Sequence, residues 1–369
     1  MNKKIFFIKY LFILLLLLIF SCNNDVEKDV SKENTLDDIG FIKTVVLDSG
    51  QGYSYAITTT DNIIITGPTI EGEQKNNIVI PPSIKGKMVV AIEGFSQLSR
   101  LLSNIILPDS IIDIRRSAFS GCEWLTNINI PKNTVRIGTS AFSGCSNWNS
   151  DLILPIGLKV LGSSAFSSCS NLHGSLLIPS GIKIIENKTF FSCSGFTGYL
   201  TISNGVTRIE EESFAYCNGF TGDLIIPNSV TFIGEGAFYD CSGFNGRLTL
   251  SNSITSISRL SFFNCNNFTG DLIIPNGVTN IGKNSFHSCS GFNGSLIIPN
   301  SVNSIEDQAF SLCSGLIDVR VENNVPPSVG NDIFLGCTAL TAIYVPSSAV
   351  DTYKSALGWS AYSSKIVGY

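Results

Sequence analysis

Ten of the eleven cysteines recur at a nearly constant interval, and this is the pattern in the chain that could most readily carry chemistry. Every gap between them is 24 residues except the first, which is 23. They are Cys122, Cys145, Cys169, Cys193, Cys217, Cys241, Cys265, Cys289, Cys313 and Cys337. Thiols at a fixed spacing can form disulfides, bind a metal or pack as small apolar groups.

The constant interval predicts a solenoid, in which short units stack on their copies and bury a shared core. Residues at one position of the unit then form a row, with neighbours about 4.8 Å apart and side chains pointing the same way. A disulfide instead needs Cβ atoms about 3.8 Å apart that are turned toward each other. A single column of thiols also does not offer the tetrahedral geometry that zinc prefers. We therefore expect a ladder of free thiols packed in a core.

A phenylalanine precedes each of these cysteines by three residues. The set is Phe119, Phe142, Phe166, Phe190, Phe214, Phe238, Phe262, Phe286, Phe310 and Phe334. Phe95 and Leu98 occupy the same two places one step earlier, which makes eleven units. The phenylalanines and cysteines together are predicted to form a structural ladder inside the protein.

A typical unit contains two extended segments and a tight turn. Leu224 and Ile226 alternate with Asp223 and Ile225 in the period-two pattern of a strand. Pro227 then turns the chain, and Val230 and Ile233 belong to a second short extended segment. The sequence therefore predicts a repeat solenoid of stacked parallel β-strands, mostly β, with short helical turns.

The recurring motif Ile-Pro-x-x-Val-x-x-Ile-Gly-x-x-Ala-Phe-x-x-Cys-x-x-Leu resembles the BspA-type (Treponema pallidum-type) leucine-rich repeat, over roughly residues 78–346. The resemblance implies a curved parallel-sheet solenoid on a bacterial cell surface that binds other molecules and does not catalyse. The chain departs from the motif at Ser203, Ser251 and Asn323, which replace the proline.

The start of the chain has the pattern of a secretory signal, with basic residues, an apolar run and then a small residue before Cys22. The segment that ends in Ser21 and Cys22 resembles a bacterial lipobox, although Phe20 is bulky for its place. The resemblance implies that residues 1–21 are removed and that Cys22 carries lipid. The protein would then be a lipoprotein anchored at the outer membrane or cell surface. An uncleaved helical anchor is the alternative.

Two segments separate this signal from the repeats. Residues 22–41 are mostly polar, which favours a flexible tether. Residues 42–77 contain strand-like runs punctuated by glycine but lack the repeat. They predict a β-rich N-terminal cap, which a solenoid needs to cover its open core and the unpaired edge of its sheet.

The solenoid itself is assigned to residues 78–346, and residues 347–369 follow it with a different pattern. Val350, Tyr353 and Leu357 have the spacing of one helical face. We expect this last segment to form a helical C-terminal cap.

A row of mostly aromatic residues three places after the cysteines is the candidate binding row. It contains Trp148, Phe196, Phe220, Phe244, Phe268 and Phe292. If these side chains point inward, they add a layer to the core. If they point outward, they form a large exposed apolar patch of the kind that marks binding surfaces. The sequence leaves this orientation open.

Catalysis is not expected, because the only histidines, His173 and His287, stand at different places of the repeat and no catalytic set accompanies them. No cofactor and no metal is expected. Loss of three lysines with the signal changes the formal net charge from −5 to −8, which argues against nucleic acid as a partner.

We expect a monomeric adhesin-like protein that binds a protein or glycan of a host or bacterial surface. A glycan-capture lipoprotein that uses the candidate binding row is one alternative, and a purely structural envelope component is another.

Overall fold

The structure, a computed structural model, describes residues 43–46, 52–68, 77–98 and 102–369. The signal, Cys22 and the tether lie outside the described residues. The repeats stack as a solenoid with two columns of short parallel strands. We name the columns the Pro column, whose strands precede the proline turn, and the Ile-Gly column, whose strands follow it.

The Pro column contains β4 (Asn77–Val79), β7 (Asn104–Ile106), β9 (Asn127–Ile128), β12 (Leu176–Ile178), β14 (Leu200–Ile202), β16 (Leu224–Ile225), β18 (Leu248–Thr249), β20 (Leu272–Ile273), β22 (Ser295–Ile298), β24 (Asp318–Val321), β26 (Ala342–Val345) and β27 (Ile366–Gly368). The Ile-Gly column contains β6 (Lys87–Ile92), β8 (Asp113–Ile114), β10 (Arg136–Ile137), β11 (Val160–Leu161), β13 (Ile184–Ile185), β15 (Arg208–Ile209), β17 (Phe232–Ile233), β19 (Ser256–Ile257), β21 (Asn280–Ile281), β23 (Ser304–Ile305) and β25 (Ser328–Val329).

Equivalent residues of successive units pair with each other in both columns. Leu176 pairs with Leu200 in the Pro column, and Ile209 pairs with Ile233 in the Ile-Gly column. Because the register equals the repeat, every position of the unit forms a row along the solenoid. The predicted repeat solenoid of stacked parallel strands is confirmed.

A third backbone ladder runs through the turn segment that carries the Ala-Phe-x-x-Cys motif. The N–H groups of Glu212, Phe214 and Tyr216 donate to carbonyls of the following coil at 3.0, 2.9 and 2.7 Å. In the Ile-Gly column the direction is reversed, since the N–H groups of Thr231 and Gly234 donate to the preceding coil at 2.9 and 2.8 Å. Each coil is therefore held to its neighbours on several sides.

The core is built from the same inward side chains in each coil. In the unit that ends at Cys241, the strand residue Leu224, the second-segment residues Val230 and Ile233, and the turn residue Phe238 are all buried. Burying one such large apolar side chain contributes roughly 1.5–3 kcal/mol. No single coil could shield these groups, so stability depends on stacking.

The described part of the N-terminal cap is an antiparallel meander of β1 (Lys43–Val46), β2 (Gly52–Ile57) and β3 (Ile63–Pro68). Strand β3 then pairs parallel to β6, and the two-residue strand β5 (Ser83–Ile84) pairs antiparallel to β6. The meander thus continues the Ile-Gly column at its first edge. The boundary at residue 77 stays a prediction.

The C-terminal segment covers the last coil with two 3-10 helices, Ser347–Ala349 and Trp359–Lys365, and one α-helix, α1 (Val350–Ser355). The Tyr353 hydroxyl donates to the Asn323 carbonyl at 3.0 Å, and the Trp359 Nε1–H donates to the Pro327 carbonyl at 2.8 Å. These buried rings close the open end of the core.

The prediction that Val350, Tyr353 and Leu357 share one helical face is wrong for Leu357. Helix α1 ends at Ser355, Ala356 is extended, and Leu357 is 93% exposed. Because the helix ends two residues before Leu357, that side chain does not lie on the helical face of Tyr353. Within the residues that the structure describes, no helix is long and apolar enough to cross a membrane.

Candidate binding surfaces

The candidate binding row lies inside the solenoid. Its members, Trp148, Phe196, Phe220, Phe244, Phe268 and Phe292, are all buried. Phe196 stacks on Phe220 with ring centroids 4.7 Å apart, and it meets the edge of Phe190 behind it at 6.5 Å. The row is a second layer of the core, so it cannot bind a ligand. The outward orientation, and with it glycan capture by these rings, is wrong.

The cysteine and phenylalanine ladder is also buried, and the ten cysteines from Cys122 to Cys337 are free. The rings of Phe214 and Phe238 stack at 5.3 Å, and their neighbours along the row stack similarly. The Cys241 thiol donates to the carbonyl of Phe214 at 3.0 Å, and that carbonyl also accepts the N–H of Cys217 at 3.1 Å. Each phenylalanine carbonyl in the middle of the ladder thus has two partners.

Burial also controls the acidity of these thiols. It raises the pKa of Cys193 to about 12 and that of Cys337, nearer the end of the stack, to about 11. A thiolate has little water to stabilise it there, so the desolvated charge is disfavoured. Reactive and metal-binding cysteines need the thiolate, and these sites suppress it.

Two charged rows on the surface stabilise the stack. The carboxylates of Asp223 and Asp271 accept the backbone N–H groups of the next coil at 2.7 and 2.8 Å. Arg259 pairs with Glu235 of the preceding coil at 2.8 Å. Within the described ranges, no three His, Cys, Asp or Glu side chains are placed to hold a metal ion.

The solvent face of the Pro column carries a row of exposed aliphatic side chains, which we call the aliphatic row. It consists of Ile106, Ile153, Leu177, Ile225 and Ile273, interrupted by Asn129, Thr201 and Thr249. Ile153 is 77% exposed, and Ile156 in the adjoining turn is 90% exposed. This row could not be recognised in the sequence, because an outward isoleucine also satisfies the strand pattern. The sequence feature that could have indicated it is an apolar residue, instead of a polar one, at the strand position that alternates with the two core residues.

A second exposed feature, the turn aromatics, lies on the turn segment. It consists of Phe191, Tyr216, Tyr239, Phe263 and His287 in five consecutive coils. Neighbouring ring centroids are 5.4, 5.3, 4.8 and 4.9 Å apart along the series. Tyr216 is 39% exposed and the others are half-buried. Earlier coils carry serine at this outward place, so the rings are not part of the repeat's core.

Comparison with known protein families settles what kind of repeat this is. The model of the BspA type leucine rich repeat region, in six copies, matches residues 90–221 and again residues 220–341. This chain belongs to the BspA-type leucine-rich repeat family. The match confirms the resemblance that the repeated motif indicated. BspA-type proteins are typically found at the cell surface, and membership points to a role in protein interaction. No curated protein sequence matches the chain.

Several solved structures are similar to this BspA-type chain. A leucine rich cell surface protein of Faecalibacterium prausnitzii is 20% identical, with a TM-score of 0.49, over 82% of this chain and 94% of that one. A leucine-rich repeat protein of Bacteroides ovatus is 21% identical, with a TM-score of 0.46, over 89% and 98% of the two chains. At these values the likeness says nothing of what the BspA-type chain binds.

Proposed function

We propose that the chain is a lipid-anchored adhesin of the bacterial cell surface that binds a protein through the aliphatic row. The observation that supports this most is the exposure of Ile153, Ile156 and Leu177 on neighbouring coils. Contiguous exposed apolar groups are disfavoured on monomeric proteins and mark interaction surfaces. No catalytic arrangement accompanies them in the described residues.

Strand propensity alone does not account for the aliphatic row. Isoleucine is favoured in strands because it is β-branched, and this would explain Ile225 and Ile273. Leu177 is not β-branched, and Ile156 lies in a turn rather than a strand. Their exposure favours contact with a partner that supplies apolar surface.

The anchoring part of the proposal rests on the amino-terminal sequence. A signal in residues 1–21, lipid on Cys22 and a tether over residues 22–41 would hold the solenoid away from the membrane. The partner would then be a protein on a host cell or on another bacterium.

The chain itself supplies the substitutions that test the aliphatic row. Thr201 and Thr249 stand in the same row, so replacing Ile153, Leu177, Ile225 and Ile273 by threonine should leave the fold intact. Binding of the purified protein to immobilised host extracellular-matrix proteins would be measured by plate assay. We expect the quadruple variant to lose at least tenfold in apparent affinity for any matrix protein that the wild type binds.

Leu357→Ser is the matched control, because it removes an exposed apolar side chain outside the aliphatic row. It should bind as the wild type does. Equal binding by the quadruple variant and the wild type would contradict the proposal. Binding of none of the matrix proteins by the wild type would argue against a host-matrix adhesin and for a structural envelope role.

A further inference from the structure

The turn aromatics replace the small polar residues that the repeat otherwise uses at the surface. The outward place two residues before the cysteine is Ser120, Ser143 and Ser167 in earlier coils. In the later coils it is Phe191, Tyr239, Phe263 and His287, while Tyr216 stands one place further along. The change is confined to consecutive coils, so it forms one continuous strip rather than scattered exposed rings.

Tyr216 occupies its place at a conformational cost. Its φ is 63°, in the left-handed region, where a residue with a Cβ atom costs roughly 1–2 kcal/mol. The same place is left-handed in other coils, where φ is 56–62° at Ser168, Ser192, Asp240, Asn264, Ser288 and Leu312. Asparagine and aspartate tolerate this conformation best among residues with a side chain. The left-handed turn is therefore a property of the repeat, and because serine and aspartate serve at the same place, the fold does not require the exposed ring of Tyr216 there.

The strip presents ring edges and hydroxyls to solvent. Tyr239 and Phe263 lie within 5° of parallel, and Phe263 and His287 within 8°. Their faces therefore cover one another. A pyranose ring stacks on an aromatic face, so this stacked half of the strip disfavours a glycan, whereas Tyr216 is tilted by 75° from Phe191 and by 56° from Tyr239. The strip favours a ligand that lies along the edges and accepts hydrogen bonds from the tyrosine hydroxyls.

The turns that carry the first three rings are strongly acidic. Residues 186–192, 210–216 and 234–240 contain six carboxylates and one lysine, Lys188. Three of these carboxylates are paired, since Lys188 lies 3.2 Å from Glu212, Arg208 lies 2.5 Å from Glu210 and Arg259 lies 2.8 Å from Glu235. Glu186, Glu211 and Asp240 form no salt bridge within the described residues, so the turns keep a net negative charge. The strip thus favours a partner with positive charge.

The spacing of the rings matches one extended backbone conformation. Two steps along the strip span about 10 Å, close to the ~9.3 Å repeat of a polyproline II helix, which has three residues per turn at 3.1 Å each. Such a helix has no internal hydrogen bonds, so its carbonyls are available to the hydroxyl of Tyr216, with which the Tyr239 hydroxyl also interacts. Aromatic surfaces are a known mode of recognition for proline-rich segments.

We propose that the turn aromatics bind a basic, proline-rich peptide segment in the polyproline II conformation, on a surface separate from the aliphatic row. Proline rings one helical turn apart would contact Phe191, Tyr239 and His287, which are two steps apart along the strip, and basic side chains would meet the carboxylates of the neighbouring turns. The partner is therefore a protein with an exposed cationic proline-rich stretch.

The test uses the full chain in detergent solution and two labelled dodecapeptides. One repeats Pro-Pro-Arg four times, and the other repeats Gly-Ser-Arg four times, with the same charge but no preformed helix. Fluorescence anisotropy should show at least tenfold tighter binding of the proline peptide by the wild type. The double variant Tyr239→Ser with Phe263→Ser uses the residue that the chain itself places there in earlier coils, and it should bind the two peptides equally.

Two control variants separate this site from other surfaces. Tyr199→Ser removes an exposed tyrosine beside the Pro column, and Ile225→Thr removes one member of the aliphatic row. Both should keep the preference for the proline peptide. Equal affinity of the wild type for the two peptides would overturn the proposal, as would a preference that survives the double variant. If the proline peptide does not bind, and if a chito-oligosaccharide binds to the wild type but not to the double variant, the ligand of the strip is a glycan and not a peptide.

Discussion

The buried thiol ladder predicts that the protein loses stability steeply as the pH rises above 8. Burial raises the pKa of nine thiols, at Cys122, Cys169, Cys193, Cys217, Cys241, Cys265, Cys289, Cys313 and Cys337. In the unfolded chain the same thiols ionise near their ordinary pKa of 9.0. Above that pH the unfolded state binds fewer protons than the folded state, so the free energy of unfolding falls as pH rises.

The size of the effect follows from the number of thiols. A thiol that stays protonated in the folded state but has a pKa of 9.0 when unfolded lowers the free energy of unfolding by about 0.4 kcal/mol at pH 9 and about 0.85 kcal/mol at pH 9.5. Nine of them together remove about 4 kcal/mol at pH 9 and about 8 kcal/mol at pH 9.5. Typical proteins have only about 5–15 kcal/mol in total. The full stabilisation is present below pH 8.

Urea unfolding of the full chain under reducing conditions at pH 7.5, 8.5, 9.0 and 9.5 would measure this loss. Cys217→Ser with Cys241→Ser is the matched variant, since serine can donate the same hydrogen bonds but does not titrate in this range. It should recover about 2 kcal/mol of the loss at pH 9.5. A fall of less than about 2 kcal/mol in the wild type, or identical pH slopes in both proteins, would show that the thiols ionise inside the folded state.

Three further predictions concern single residues. Phe238→Ala should lower the free energy of unfolding by about 3–5 kcal/mol, because its ring stacks between Phe214 and Phe262 at 5.3 and 5.4 Å; a loss below 1 kcal/mol in urea titration would contradict the stacking role. Tyr216→Asn should leave the same quantity within about 1 kcal/mol of wild type, since relief of the left-handed conformation offsets lost ring contacts; a larger loss would mean that the exposed ring is structural. Cys22→Ala should move the protein from the detergent phase to the aqueous phase in a phase-separation assay, and continued membrane partition would indicate an uncleaved anchor.

The rows inside the solenoid could be anticipated from the period, while the surfaces could not. A repeat of 24 residues requires equivalent residues to stack, so the burial of Phe238 and Cys241 in a shared core could be predicted. The orientation of Phe220 was not predictable, because its place depends on how a six-residue turn directs its Cβ atom. The structure stacks that ring between Phe196 and Phe244 in the core.

The turn aromatics could not be recognised in the sequence for a different reason. Tyr216 is displaced by one place from the position of Tyr239, so the series is broken when residues are aligned by number. Only the three-dimensional turn brings the two rings to 5.3 Å. The aliphatic row could not be recognised as a binding surface, because Ile225 fits a strand equally well whether it faces a partner or water.

The opposed directions of the backbone ladders have an electrostatic consequence for the length of the molecule. N–H groups in the Ile-Gly column point to the preceding coil, whereas those of the turn segment point to the following one. In an α-helix the peptide dipoles align and add up to partial charges at the two ends. Here the dipoles of the Ile-Gly column oppose those of the turn segment, so these two ladders partly cancel along the axis. Units gained or lost by duplication therefore change both opposed ladders at once, and the net dipole along the axis changes by less than either ladder alone would change it.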